Sequence, residues 1–162
     1  MRIAAVVLAC SVAAIPAVAQ THSSAAVKWG PGPGFLPAGA RIAVLQGDPS
    51  KSGVYTIRLR FPAGYRVPPH FHPTDEHVTV LSGTLLVGMG DSMNLRGAQR
   101  LMAGGFITAP KDAHHFAVAR GRTIVQIHGD GPFEIRYVNA ADDPRRANNN
   151  NNNNNNNRNN NR

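Results

Sequence analysis

The sequence predicts an all-β domain, a sandwich or barrel of short strands, on three observations. Sixteen Gly and twelve Pro among 162 residues are too many for a helical bundle, because both residues break helices. Runs of alternating apolar and polar residues recur between Gly/Pro turns. No segment sustains a long 3.6-residue period. With 42% hydrophobic and 16% charged residues, the chain can bury an ordinary core, and its length suits one domain.

The elements follow in order. Residues 1–19 read as a secretory signal peptide: Arg2, an apolar run from Ile3 to Ile15, then an Ala17-Val18-Ala19 cleavage site before Gln20. That run is too short for a permanent membrane helix. Cleavage removes Cys10, the only Cys, which suits an oxidising compartment. The expected location is therefore exported, periplasmic or secreted, with no membrane contact after cleavage. Residues 20–39 are a lead-in whose Trp29–Gly39 stretch, WGPGPGFLPAG, predicts no regular structure.

Residues 40–144 hold the strands. Arg41–Gln46 is the first. Val54–Phe61 puts Tyr55, Ile57, Leu59 and Phe61 on one face and Thr56, Arg58 and Arg60 on the other. Val78–Leu81 and Leu85–Met89 flank a tight turn at Ser82-Gly83-Thr84. Phe106–Ala109, Phe116–Ala119, Thr123–His128 and Phe133–Val138 follow. Met93–Met102 is the best helical candidate. Residues 145–162 are an Asn-rich tail; thirteen of its last fifteen residues are Asn, which cannot build a core and predicts disorder.

The net charge of +8 dissolves when divided by region. From Thr21 to Pro144 there are 12 Lys+Arg against 9 Asp+Glu, so 12 − 9 leaves +3. No stretch there interleaves cations with aromatics, which argues against nucleic-acid binding. No Gly loop that cradles phosphate is present.

Chemistry concentrates in Pro68–His77, PPHFHPTDEH. His70 and His72 are two apart, so in extended chain their rings leave on one side. Glu76 shares that parity, and Val78 and Val80 continue its face as an apolar, inward surface. A carboxylate at the head of such a face is costly unless it meets a cation. Two imidazoles and a carboxylate turned inward suit a divalent transition metal: Fe, Mn, Zn, Ni, Co or Cu. His114 and His115 both offer a further imidazole. Alternation places His114 with the bulkier Phe116 and Val118, and His115 with Ala117 and Ala119. Parity turns His77 away from Glu76. His128 reads as a histidine satisfied at a strand end, and Asp75 as a turn residue or as a partner orienting a ligand imidazole.

These residues resemble the cupin superfamily. Its first motif runs Gly, five residues, His, one residue, His, three or four residues, Glu, six residues, Gly, and Gly64, His70, His72, Glu76 and Gly83 meet it throughout. In the second motif Gly104, Pro110 and His115 match, while Asp112 stands at a Gly position and Ala119 at an Asn position. The segment HPTDEHVTVLSG further resembles small exported single-domain bacterial cupins. The resemblance implies a jelly-roll β-barrel holding one metal on His70, His72, Glu76 and His115. It also implies pairing into a homodimer.

Three activities remain open. One is a metal-dependent dioxygenase acting on a small organic substrate, with Glu76 leaving the metal to act as a base. The second is a non-catalytic module binding a metal and a small ligand. The third is a metal-dependent isomerase or lyase. Phe71, Met89, Met102, Phe106 and Phe116 are candidates to line an apolar pocket.

Overall fold

The computed structural model describes residue 19 and residues 21–146; the proposed signal peptide before Ala19 and the Asn run of the tail lie outside them. Among the described residues eleven strands run in chain order: β1 Gly30–Pro31, β2 Arg41–Gln46, β3 Gly53–Phe61, β4 Arg66–Phe71, β5 Glu76–Ser82, β6 Thr84–Met89, β7 Gln99–Met102, β8 Phe106–Ala109, β9 His115–Ala119, β10 Thr123–Gly131 and β11 Arg136–Tyr137. They form two antiparallel sheets, β1-β2-β3-β10-β5-β8 and β11-β4-β9-β6-β7, the jelly-roll arrangement. Among the described residues no helix is long and apolar enough to cross a membrane.

The alternation in β3 becomes the wall of the core. Tyr55, Ile57, Leu59 and Phe61 are buried between the sheets with Val78 and Val80 of β5 and Val125 and Ile127 of β10. Each fully buried aliphatic side chain contributes about 1.5–3 kcal/mol relative to exposure. Arg58 and Arg60 stay on the half-buried outer face.

Three segments depart from the sequence reading. Met93–Met102 is not a helix. Asn94 caps one 3-10 turn, Leu95–Gly97, and Gln99–Met102 then pairs with β6 as β7. Pairing with β6 satisfies the backbone groups of Gln99–Met102 that face that strand. Phe133–Val138 is extended, but only Arg136 and Tyr137 pair, with Phe71 and His70. In the lead-in, Gly30 and Pro31 pair with β2, Leu36 is buried in the core, and the hydroxyls of Tyr65 and Tyr137 donate to the carbonyls of Pro37 and Phe35. The lead-in is thereby fastened across the barrel. Arg145, counted with the tail, is likewise fixed by Asp143 and by the Ile135 carbonyl.

The second sheet carries a further small core on its outer face. Leu86, Phe116 and Val118 are covered there by Met93, Leu95 and Ala98. Phe116 is paired with Gly88, and its ring fills the space where a Cβ on Gly88 would stand, 2.2 Å from its Cζ. The bulky residues of β9 therefore face out, under the 93–98 segment. The small residues Ala117 and Ala119 face the barrel interior.

Candidate metal centre

β4 delivers the first imidazole. Pro68 and Pro69 cannot donate to a ladder, and the β4–β9 register shifts between Val67 and His70. After that irregularity His70 stands directly opposite His115 on β9, with ring centroids 4.2 Å apart. His72 follows just beyond β4, where its carbonyl accepts from the Asp112 amide at 2.9 Å. Its ring centroid lies 5.0 Å from that of His70 and 5.2 Å from that of His115. Glu76 opens β5, the neighbouring wall. All four side chains are buried.

Asp112 explains the departure from the second motif. Its φ is 58°, in the left-handed region that glycine adopts freely and that Asp tolerates better than most residues. The conformation of that position survives the loss of Gly.

The imidazoles are locked by backbone. His70 Nδ1 donates to the Pro68 carbonyl at 2.7 Å, His72 Nδ1 to Glu134 at 2.6 Å and His115 Nδ1 to Ala113 at 2.9 Å. A carbonyl can only accept, so each Nδ1 carries the hydrogen and each Nε2 of the neutral ring presents a lone pair. One ligand nitrogen from each of the three rings falls within 4.8 Å of the others. Glu76 Oε2 lies 3.5 Å from His72 Nε2 and 3.7 Å from His115 Nε2. Both separations are longer than an ordinary hydrogen bond.

The electrostatics call for a cation. Burial alone would push the Glu76 carboxyl up, but the imidazoles of His72, His115 and His70 reverse that and hold it at about 2. Burial pushes His70 down to about 3, aided by His115 and His72. For His115 burial pulls down and Glu76 outweighs it, raising the imidazole above its usual value. Meanwhile His72 Nε2 and His115 Nε2 are buried without a hydrogen-bond partner, each at a cost of about 1–3 kcal/mol. Three nitrogens and one carboxylate oxygen around two orphaned lone pairs fit a divalent transition metal.

A cavity of about 40 Å³ adjoins the imidazoles, room for about three waters. Leu36, Leu59, Val78, Ile107, Phe133 and Ile135 are among its walls, and apart from Glu76 and the three imidazoles every lining side chain is apolar. The expected lining is corrected: none of Phe71, Met89, Met102, Phe106 or Phe116 reaches it. Met89, Met102 and Phe106 are exposed, and Phe116 belongs to the outer core.

The geometry separates the two candidate imidazoles. His114 stands outside, its side chain 37% exposed, 2.5 Å from Asp91 Oδ1 and stacked on Phe71. His115 is the one brought to His70 and His72. His77 bonds Thr108 and stacks on His128. His128 pairs with His77 inside β10 rather than ending it. Asp75 orients no imidazole; its Oδ1 accepts from the Lys111 amide at 2.7 Å, tying the loop after β4 to the loop before β9. The carbonyls of Pro68, Ala113 and Glu134 and the ring of Phe133, stacked 5.7 Å from His72, are parts that residue types alone do not announce.

Comparison with known proteins agrees with this architecture. The family described as Domain of unknown function (DUF4437) matches residues 23–160. A comparison with curated proteins finds no match. Among solved structures the barrel is similar to a polyketide cyclase from Streptomyces resistomycificus, at 19% identity and TM-score 0.61, over 78% of this chain and 90% of that one. It is similar to a candidate acetylacetone dioxygenase from Methylibium petroleiphilum, at 20% identity and TM-score 0.59, over 80% and 88%. An RmlC-like cupin from Shewanella frigidimarina matches at 17% identity and TM-score 0.53, over 67% and 87%. At these identities the likeness is one of fold. By its family match the chain belongs to DUF4437, a cupin-like family, and its barrel has the cupin fold.

Proposed function

We propose that this protein is an exported metal-dependent cupin enzyme, a dioxygenase acting on a small organic molecule. The observation that carries the reading is the pair of orphaned Nε2 atoms facing an ionised Glu76 beside an apolar-walled cavity. His70, His72 and His115 would hold the metal through Nε2, with Glu76 Oε2 as the fourth ligand. A bound Fe or Mn would supply Lewis acidity and a route to dioxygen. The chain's own part is to fix the tautomers through three carbonyls and to keep water away with the apolar walls. Held at about 2, Glu76 is a weak base while it faces the imidazoles. It gains basicity on leaving them, where it could take a proton from an acidic C–H or O–H of the substrate.

The apolar walls of the cavity favour a small organic substrate such as a 1,3-diketone, and the likeness to a candidate acetylacetone dioxygenase supports that choice. A second reading is favoured by the lining itself. Beyond Glu76 and the imidazoles no acid or base faces the cavity, as in a module that only binds a metal and a small ligand. Export is part of the proposal and rests on the Ala17-Val18-Ala19 site; a mature N-terminus at Gln20, read by mass spectrometry, tests it. A homodimer is the proposed assembly, tested by light scattering. For the activity, elemental analysis of the secreted protein is followed by oxygen uptake against small diketones and phenols. Stoichiometric metal with substrate-dependent uptake supports the enzyme. Stoichiometric metal with no uptake across the panel favours the binding module.

A further inference from the structure

The end of the barrel away from the imidazoles carries a hollow of about 310 Å³ whose walls include Arg41, Arg60 and Arg122. Arg41 and Arg60 are direct cross-strand partners on β2 and β3. Like charges in that position repel and weaken the pairing. Arg122 precedes Thr123, which pairs with Phe61 at the end of β3, so a third guanidinium reaches the same rim. Among the described residues none of the three has a carboxylate within ion-pair distance, and no acidic residue lines the hollow. Trp29 organises two of them: its carbonyl accepts from Arg41 at 2.9 Å, and the Arg60 guanidinium lies 4.6 Å over its ring. Gly129 of β10 is one step from the His128–His77 pair beside Glu76, and Arg122 is seven residues earlier, roughly 20 Å along the strand. The hollow is therefore separate from the metal centre.

We propose that this hollow binds a phosphate group carried by a small soluble molecule. Guanidinium forks match the oxygens of a phosphate two at a time. A concave wall of one sign concentrates anions, and three cations with no internal counter-ion are balanced better by a dianion than by a single carboxylate. The concavity favours a small ligand over a flat membrane surface.

Trp29 is the only Trp in the chain and touches Arg60, so its emission reports this site and not the metal centre. Inorganic phosphate is titrated into the mature, metal-loaded protein, with ionic strength held constant by chloride. The expected result is a saturable change in emission. R122Q leaves the Arg60–Trp29 contact in place and weakens the apparent Kd at least fivefold. R41Q/R122Q abolishes saturation, while R100Q, on β7 of the other sheet, changes nothing. Unchanged circular dichroism keeps the comparison fair, and R122Q alone serves if the double variant misfolds. Three outcomes would overturn the proposal: no saturation in the unaltered protein, equal saturation in R122Q, or binding to vesicles of anionic phospholipid without binding to inorganic phosphate.

Discussion

Three histidines of this barrel face inward and three face outward, and their partners differ in kind. His70, His72 and His115 give Nδ1 to backbone carbonyls. His77 meets the Thr108 hydroxyl, His114 meets the Asp91 carboxylate, and His128 stacks on His77. A carbonyl fixes the tautomer, whereas a hydroxyl can donate or accept and leaves it open. Burial then removes water from Nε2 in the inner set. The inner set is distinguished further by convergence, with one ring nitrogen from each of the three within 4.8 Å of the others.

The hardest test of this contrast is to remove one member of each set. His72→Ala is expected to lower metal affinity at least 100-fold and to leave the purified protein without stoichiometric metal by elemental analysis. His77→Ala is expected to keep full occupancy. Full metal in His72→Ala would break the comparison, because the inner set would then differ from the outer in burial alone.

A closer test uses neighbours in sequence. His115→Ala should lose most of its metal, and His114→Ala should lose none. His114 is partly exposed and paired with Asp91, so its removal should cost less than about 1 kcal/mol in denaturant unfolding. The reverse order of metal loss would move the ligand to the outer face of the sheet.

This pair also shows what was legible in the sequence. His70 and His72 could be placed on one side by parity, and Glu76 on the inward face that Val78 and Val80 mark, although bends at Pro73 and Thr74 carry the chain from one sheet to the other between the two groups. Parity grouped the residues of β9 correctly, with His115 beside Ala117 and Ala119, but it could not say which group faces in, and the bulk of Phe116 and Val118 is no guide. They face out, over Gly88 and under Met93–Ala98, and a second small core cannot be seen from one strand. The same segment concealed β7, since its pairing with β6 is a tertiary fact. β4 was concealed by Pro68-Pro69, which argue against a regular strand. Pocket lining failed for a related reason: Met89, Met102 and Phe106 are exposed, Phe116 is buried in the outer core, and the lead-in and Phe133 supply part of the wall instead. The motif glycines and prolines, by contrast, mark turns set by local φ, and local geometry is what spacing records.

A milder change acts on support rather than on a ligand. Phe133 stacks on His72 and precedes Glu134, whose carbonyl holds His72 Nδ1. Phe133→Leu keeps an apolar side chain there but loosens both constraints. The expected result is about a tenfold loss of metal affinity, measured by competition with a chelator, with the fold intact by circular dichroism. An unchanged affinity would show that the carbonyl positions His72 without help from the ring.

The smallest effect belongs to the outer pair. His77 and His128 are cross-strand partners stacked at 4.9 Å, an arrangement that contributes about 0.2–1 kcal/mol. His128→Thr should therefore lower stability by less than about 1 kcal/mol and leave metal content untouched. A loss of metal on this substitution would mean that the outer face of β10 and β5 transmits to Glu76, one residue from His77. The carboxylate, and not only the three imidazoles, would then depend on the packing of the opposite face of its strand.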